Sequence, residues 1–353
     1  EIESYTQVFA VWIPDELRGK SATDYFNNVC DYYYKELELN KDLIVNRLIK
    51  IASWLLVGSF LFLTATDIYI KNYGDISANQ PTDEFIQEAE AVGYIYKRDE
   101  ADIRLLTYNL LSDSLGFEGT DASERAGGVC SIIEELSPDV ICFQEMSRKW
   151  FASVKNNTNY KFINFFRTAV FGAMTTMAYN NKKVDLLFSG EKTFSVGGDS
   201  RLRRMVWGIF SNKLNGKPFA VVNIHFDLSK KNEAAIFDDS LQMSQALETT
   251  RFVRDVIDTM KCPVFILGDF NVKQSTREKI SPVYEILDSV FYNAKKYAKS
   301  VSEGSLSQSV TSKNDHVFYY GNVSIERYCL LSNESFGYLS DHYPIFVDVR
   351  LEK

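Results

Sequence analysis

The chain has little cysteine, only three histidines and no excess of basic charge. Its 39 Lys and Arg are outnumbered by 47 Asp and Glu, a formal net charge of -8 with a pI near 5.2. That balance excludes a protein held to nucleic acid mainly by a basic surface, a mode that needs many cations neutralising phosphates. Chemistry at a phosphate group stays open. The five cysteines, Cys30, Cys130, Cys142, Cys262 and Cys329, are odd in number, widely spaced and without a Cys-x-x-Cys pair. Neither a zinc cluster nor a disulfide framework is therefore expected. Cys142 and Cys262 lie in or beside apolar runs and are expected as buried thiols. No internal repeat and no amino-terminal signal peptide is visible, and the sequence begins at Glu1 rather than Met, as a processed chain or a fragment would. What is present is globular: 45% hydrophobic and 14% aromatic residues exclude disorder and fibrous repeats. A length of 353 residues suits one large domain with an extra segment, or two domains.

The first hundred residues differ from the rest. Segment 1–46 includes a helix-compatible stretch from Ser21 to Leu39 that starts with a capping-box-like Ser-Ala-Thr-Asp. Ile51 to Thr66 carries no charge, and Ile51 to Ile70 contains only Asp67, with Arg47 and Lys50 just before it. An apolar helix over 47–70 is expected. It is marginal for a bilayer, which needs roughly 17 to 25 apolar residues, so two readings stand. Either 51–70 anchors the chain in a membrane with the following domain extracytoplasmic, or it is a buried helix of a soluble protein. Residues 71–100 read as a linker with one short helix.

From Ala101 to the end, apolar runs alternate with amphipathic stretches. RLLTYN (104–109), DVICFQE (139–145), FAVVNIHFD (219–227), VFILGDFN (264–271) and HVFYYG (316–321) predict strands, and Ser123 to Leu136 and Ser240 to Met260 predict helices. This is the pattern of an α/β layered domain. Four runs end in a polar residue: Asn109, Glu145, His225 with Asp227, and Asp269 with Asn271. Strands delivering such groups at one end would build a single polar pocket on a rigid sheet. In Asp269-Phe270-Asn271 the spacing puts both polar side chains on one face if the strand persists. All three histidines lie here beside acids: His225 near Asp227, His316 after Asp315, His342 after Asp341. A carboxylate partner fixes the imidazole tautomer for proton transfer.

TYNLL (107–111), SPDVICFQE (137–145), VNIHFD (222–227), FILGDFN (265–271), NDHVF (314–318) and SDHYPIF (340–346) together resemble the endonuclease/exonuclease/phosphatase superfamily, the DNase I-like fold. The resemblance covers about 101–352, and ERAGGVCSIIEELSPDVICFQE is similar to tyrosyl-DNA phosphodiesterase-like members. It implies a four-layer α/β sandwich of two packed mixed β-sheets flanked by helices, to which the residue pattern of the first hundred positions adds a mainly helical amino-terminal segment. It further implies that Glu145 binds a divalent cation, Mg²⁺ or Mn²⁺, with Asn109 and Asp341 nearby. Asp269 and Asn271 would orient the attacking water and the phosphate oxygens, His342 would contact the phosphate with Asp315 holding it, and His225 would be the second acid/base. Arg203, in the cluster Arg201, Arg203 and Arg204, is the expected phosphate-facing guanidinium. Lys182–Lys183 and Lys230–Lys231 are expected on an exposed face, and His316, without a family counterpart, at a surface or strand position.

The function implied is a metal-dependent phosphoesterase cleaving a phosphodiester in DNA, RNA, phospholipid or another head group. A monoesterase acting on inositol-type phosphates is the alternative, although the Trp-Cys-Asp-Arg run of inositol 5-phosphatases is absent. A catalytically silent binding protein would show eroded polar strand ends, and none is eroded. No protein partner is expected.

Overall fold

The computed structural model describes residues 101–112, 120–163, 175–197, 203–228, 230–231, 237–272, 280–303, 314–331 and 339–352. The amino-terminal segment, the apolar helix 47–70 and the linker lie outside the described residues, as does Arg201. Among the described residues no helix is long and apolar enough to cross a membrane.

The strands in chain order are β1 (Ile103–Asn109), β2 (Val140–Gln144), β3 (Lys161–Ile163), β4 (Thr175–Tyr179), β5 (Val184–Thr193), β6 (Arg204–Asn212), β7 (Pro218–His225), β8 (Lys230–Lys231), β9 (Phe237–Asp238), β10 (Val264–Asp269), β11 (Tyr292–Asn293), β12 (Ser300–Glu303), β13 (Asp315–Tyr320), β14 (Val323–Leu330) and β15 (Ile345–Leu351). One sheet runs β12-β14-β15-β1-β2-β4-β3 and the other β11-β13-β10-β7-β6-β5, with β8 and β9 forming a separate ladder. Both sheets are mixed: β1 lies parallel to β2, β7 to β10 and β12 to β14, and the remaining pairs are antiparallel.

The helices among the described residues are α1 (Ala122–Leu136), α2 (Arg148–Asn157), α3 (Ser240–Phe252), α4 (Pro282–Asp288) and α5 (Ala294–Tyr297). Phe219 and Val221 of β7, Phe265 and Leu267 of β10 and Val317 of β13 join the first sheet and the buried faces of α1 and α2 in one core. Residues of opposite parity, Ala220, Val222, Ile224, Val264, Ile266 and Phe318, pack on α3 and α4 in a second core. A strand turns successive side chains to opposite faces, so this split makes four layers of helix, sheet, sheet and helix. Each fully buried Val, Leu, Ile or Phe contributes about 1.5–3 kcal/mol.

Two elements differ from expectation. The helix expected over Ser240–Met260 ends as an α-helix at Phe252 and continues as a π turn, Val253–Ile257, and a 3₁₀ turn, Asp258–Met260. The hydroxyls of Thr249 and Thr250 donate to the carbonyls of Gln245 and Ala246, and the Val253 N–H is shared between Thr249 and Thr250. Such back-bonding loosens the ladder and admits a wider turn. Lys183 is not an exposed lysine: its Nζ donates to Ser137 O at 2.6 Å, at the carboxyl end of α1, where a cation complements the helix dipole. Lys182 is exposed. Cys142 and Cys262 are buried, as are Cys130 and Cys329.

Candidate functional site

The inward-facing rows change from apolar to polar toward one end. On β7 the row is Phe219, Val221, Asn223, His225; on β10 it is Phe265, Leu267, Asp269. Register then sets these ends side by side, with Asp269 opposite His225 on β7 and opposite Asp315 on antiparallel β13. From the facing sheet β1 brings Asn109, paired with Gln144, the residue before Glu145.

Asp269 lies at the centre. Its Oδ2 accepts from Asn109 Nδ2 at 3.1 Å, joining the two sheets, and its Oδ1 accepts from the Asn271 backbone N–H at 2.8 Å. His225 Nε2 and His342 Nε2 stand 3.6 and 3.8 Å from the same Oδ2, beyond hydrogen-bond length. Burial, reinforced by the charge of Glu145, raises the Asp269 carboxyl above its ordinary range against the pull of His342. Gly268 permits this arrangement: its φ is +148° and a Cβ there would overlap the carbonyl oxygen of Ile224.

Glu145 follows β2 with a φ of 56°, and its Oε2 accepts from the Ser112 N–H at 3.0 Å. Leu111 and Asn271 also have positive φ. Such conformations cost about 1–3 kcal/mol each outside glycine and concentrate at functional sites. Asn109 turns its amide nitrogen to Asp269 and, at 3.5 Å, to Glu145, while its Oδ1 accepts from Leu111 N. Burial and then the Glu145 charge raise the half-buried Asp341 carboxyl. Carboxyls gathered at oxygen-rich strand ends, two of them raised by burial and by the Glu145 charge, fit a hard divalent cation.

Asp315 Oδ2 lies 2.6 Å from His342 Nδ1, a charge-assisted bond. Burial would lower the His342 imidazole, but Asp315 and Asp269 outweigh it and hold the pKa well above the ordinary histidine range. Its loop is fixed by Ser340 Oγ, which donates to Asn109 O at 2.7 Å and accepts from His342 N. Asp269, Asp315 and His342 can bring one ligand atom each within 4.8 Å of one another. His342 Nδ1 is already engaged by Asp315, so Nε2, 3.8 Å from Asp269 Oδ2, is the imidazole atom left to act in this trio.

His225 is buried, and its Nδ1 has no hydrogen-bond partner among the described residues. Burial first, then the charges of Arg203 and His342, hold it well below the ordinary histidine pKa, so it is neutral. Arg203 Nε faces Asp227 Oδ1 at 3.4 Å.

Two expectations are corrected. The strand ends at Asp269, because Asn271 takes a left-handed backbone. Asn271 therefore does not continue the Asp269 face, and its amide donates to Phe226 O at 2.8 Å. His316 takes the strand position that was one of its two expected places, on β13, but it is not a surface residue: it is buried among Phe270, Tyr284 and Phe318, its Nε2 2.7 Å from Val272 O.

Sequence reasoning passed over the groups beneath the site. Gln144 donates to Asn223 Oδ1 at 2.7 Å, and Asn223 Nδ2 donates to Phe143 O and Thr176 O, tying β2 and β4 to β7. Arg125 of α1 donates to Leu110 O, Leu111 O and Leu339 O, joining the two loops that carry Ser112 and Asp341. Polar residues inside the apolar runs, Asn223 in FAVVNIHFD above all, were the available signal.

The family model for the endonuclease/exonuclease/phosphatase family matches residues 106–342. Tyrosyl-DNA phosphodiesterase 2 of Rattus norvegicus is 23% identical over 204 residues, 58% of this chain and 50% of that protein. The chain thus spans half or less of the curated relatives it matches. Among solved structures, the endonuclease/exonuclease/phosphatase from Bacteroides vulgatus has a TM-score of 0.60 at 23% identity, covering 71% of this chain and 99% of that one. A mannosyl-6-phosphatase of Bacteroides thetaiotaomicron has a TM-score of 0.57 at 21% identity, covering 70% and 99%. At these identities the structural likeness is one of fold.

Proposed function

This chain belongs to the endonuclease/exonuclease/phosphatase family, and on that premise we propose that it is a phosphoesterase that hydrolyses a phosphodiester by attack of water at phosphorus. The observation that carries this reading is the meeting of Asn109, Asp269, His225 and the Asp315–His342 pair at one end of the space between the sheets.

In this reading Asp269, with a carboxyl raised by burial, takes the proton of the attacking water, and Asn109 keeps its Oδ2 in place. His342, held protonated by Asp315, donates from Nε2 to a phosphoryl oxygen as negative charge builds there. Neutral His225 supplies a second N–H or lone pair beside Asp269. Arg203 contacts the phosphate from the β6 side. Glu145 and Asp341, with Asn109 beside them, would hold Mg²⁺ or Mn²⁺. Such an ion would neutralise charge on the phosphoryl oxygens. A positioned acid or base adds about 10²- to 10⁴-fold.

Charge favours a diester over a monoester. The pocket gathers the carboxylates of Glu145, Asp269, Asp315 and Asp341, and a phosphomonoester would add a charge of about -1.5 to -2 where a diester adds one. The relatives' names point both ways, one to a tyrosyl-DNA phosphodiesterase and one to a mannosyl-6-phosphatase, so a sugar or inositol monoester is the second reading.

A substrate panel tests both: plasmid DNA, RNA, a 5'-tyrosyl oligonucleotide, sphingomyelin, inositol polyphosphates and mannose 6-phosphate, each with Mg²⁺, Mn²⁺ or EDTA. Metal-dependent turnover of a diester supports the proposal. Turnover confined to monoesters replaces it with the second reading, and inertness toward every class overturns both.

A further inference from the structure

Gln245 is fully buried on α3. Both ends of that amide meet one residue. Its Oε1 accepts from the Asp227 backbone N–H at 2.9 Å and its Nε2 donates to Asp227 Oδ2 at 2.8 Å. A further 3.3 Å contact from Nε2 reaches Val196 O. This leaves Asp227 Oδ1 directed at Arg203 Nε, 3.4 Å away, with the two side chains 6% and 10% exposed.

The last member of this chain is incomplete. Arg203 Nη1 is buried and has no hydrogen-bond partner among the described residues, and the neighbouring His225 Nδ1 has none either. Unpaired buried polar groups cost about 1–3 kcal/mol each, and these two belong to the adjoining ends of paired strands, His225 closing β7 and Arg203 just before β6. An oxyanion would satisfy both. A guanidinium gripped by its Nε edge keeps its outer nitrogens in a fixed plane, the geometry that suits phosphate.

We infer that Gln245 is a positioning residue for the substrate phosphate: it locks Asp227, Asp227 locks Arg203, and Arg203 then presents Nη1 to a phosphoryl oxygen. A glutamine is suited to the task because it orients the carboxylate without adding a charge that would compete for the guanidinium. This inference rests on the proposed phosphoesterase reading and extends it to a residue on a helix outside the motifs.

The test is a double-mutant cycle on the full chain. Inorganic phosphate is the probe, its Kd measured by calorimetry, with KM and kcat on bis-nitrophenyl phosphate read in parallel. Gln245→Met keeps the volume and removes both bonds. It should raise the phosphate Kd and KM about tenfold, the equivalent of one lost hydrogen bond to a charged group, and leave kcat nearly unchanged. In an Arg203→Ala background the same substitution should add nothing, whereas a merely structural role would add its full effect again. Asp227→Asn, close to isosteric, should reproduce the phenotype and serves in place of Gln245→Met if that variant fails to fold. Phosphate binding that depends on Arg203 but is indifferent to Gln245 and Asp227 overturns this inference alone. A wild-type chain that binds no phosphate and cleaves nothing overturns the phosphoesterase reading and this inference with it.

Discussion

Oδ2 of Asp315 lies 2.6 Å from Nδ1 of His342, so the first residue of β13 holds the imidazole of the loop that leads into β15. The two act as one group. Asp315→Asn and His342→Ala should each lower turnover by about 10²- to 10⁴-fold, and the double variant should cost little more than either single one, as residues acting as a unit do. Steady-state kinetics on the three variants checks this, and multiplicative losses would separate the pair.

Glu145→Gln keeps the shape that accepts the Ser112 N–H and removes a negative charge. Calorimetric titration with Mg²⁺ or Mn²⁺ should show weaker binding by roughly 10- to 100-fold or more, since the loss of even an outer partner of a metal ligand costs that much. A titration that overlays the wild type would place the cation elsewhere.

His316 predicts a pH dependence of stability that is independent of catalysis. Burial first, with a smaller push from Lys295, lowers its pKa to about 4, against the Val272 carbonyl that favours the charged form. The unfolded chain takes up a proton near pH 6.5 and the folded chain only near pH 4, so the unfolded state binds more protons in that window. Stability is therefore lost as pH falls from about 6.5 to 4, by up to about 3 kcal/mol, and levels off below. Denaturant melts of the wild type against His316→Gln should show a stability difference that shrinks across this window. A constant difference would mean that the imidazole charges freely in the folded chain.

Gly268→Ala should destabilise the fold by more than about 3 kcal/mol, because it adds both a left-half φ penalty and a collision with the Ile224 carbonyl. A denaturant midpoint within experimental error of the wild type would show that β7 and β10 can separate enough to admit a methyl group.

Much of this arrangement was legible because strands have a period of two. In FAVVNIHFD and VFILGDFN the alternation already assigns Phe219, Val221, Phe265 and Leu267 to one face and His225 and Asp269 to its end. The histidine–acid pairings were less legible, since adjacency in sequence is not contact. His316 follows Asp315 but points the other way into an aromatic cluster, whereas His342 reaches Asp315 from 27 residues away. The left-handed residues Glu145 and Asn271 carry no mark in composition, and so the end of β10 could not be read at its true place. Gln144, Asn223 and Gln245 could be seen but not assigned, for another reason: a neutral amide in an apolar stretch declares its role only when its partners are known.

The most direct test of the central claim is release of nitrophenol from bis-nitrophenyl phosphate by the full chain, with Mg²⁺ and with EDTA, for the wild type and for Asp269→Asn. Turnover that requires the cation and falls by at least about 10²-fold in the variant, with an unchanged thermal midpoint, is the predicted result. Turnover that survives the loss of the Asp269 carboxylate would contradict the account, because Asn109, His225 and His342 all meet at that oxygen.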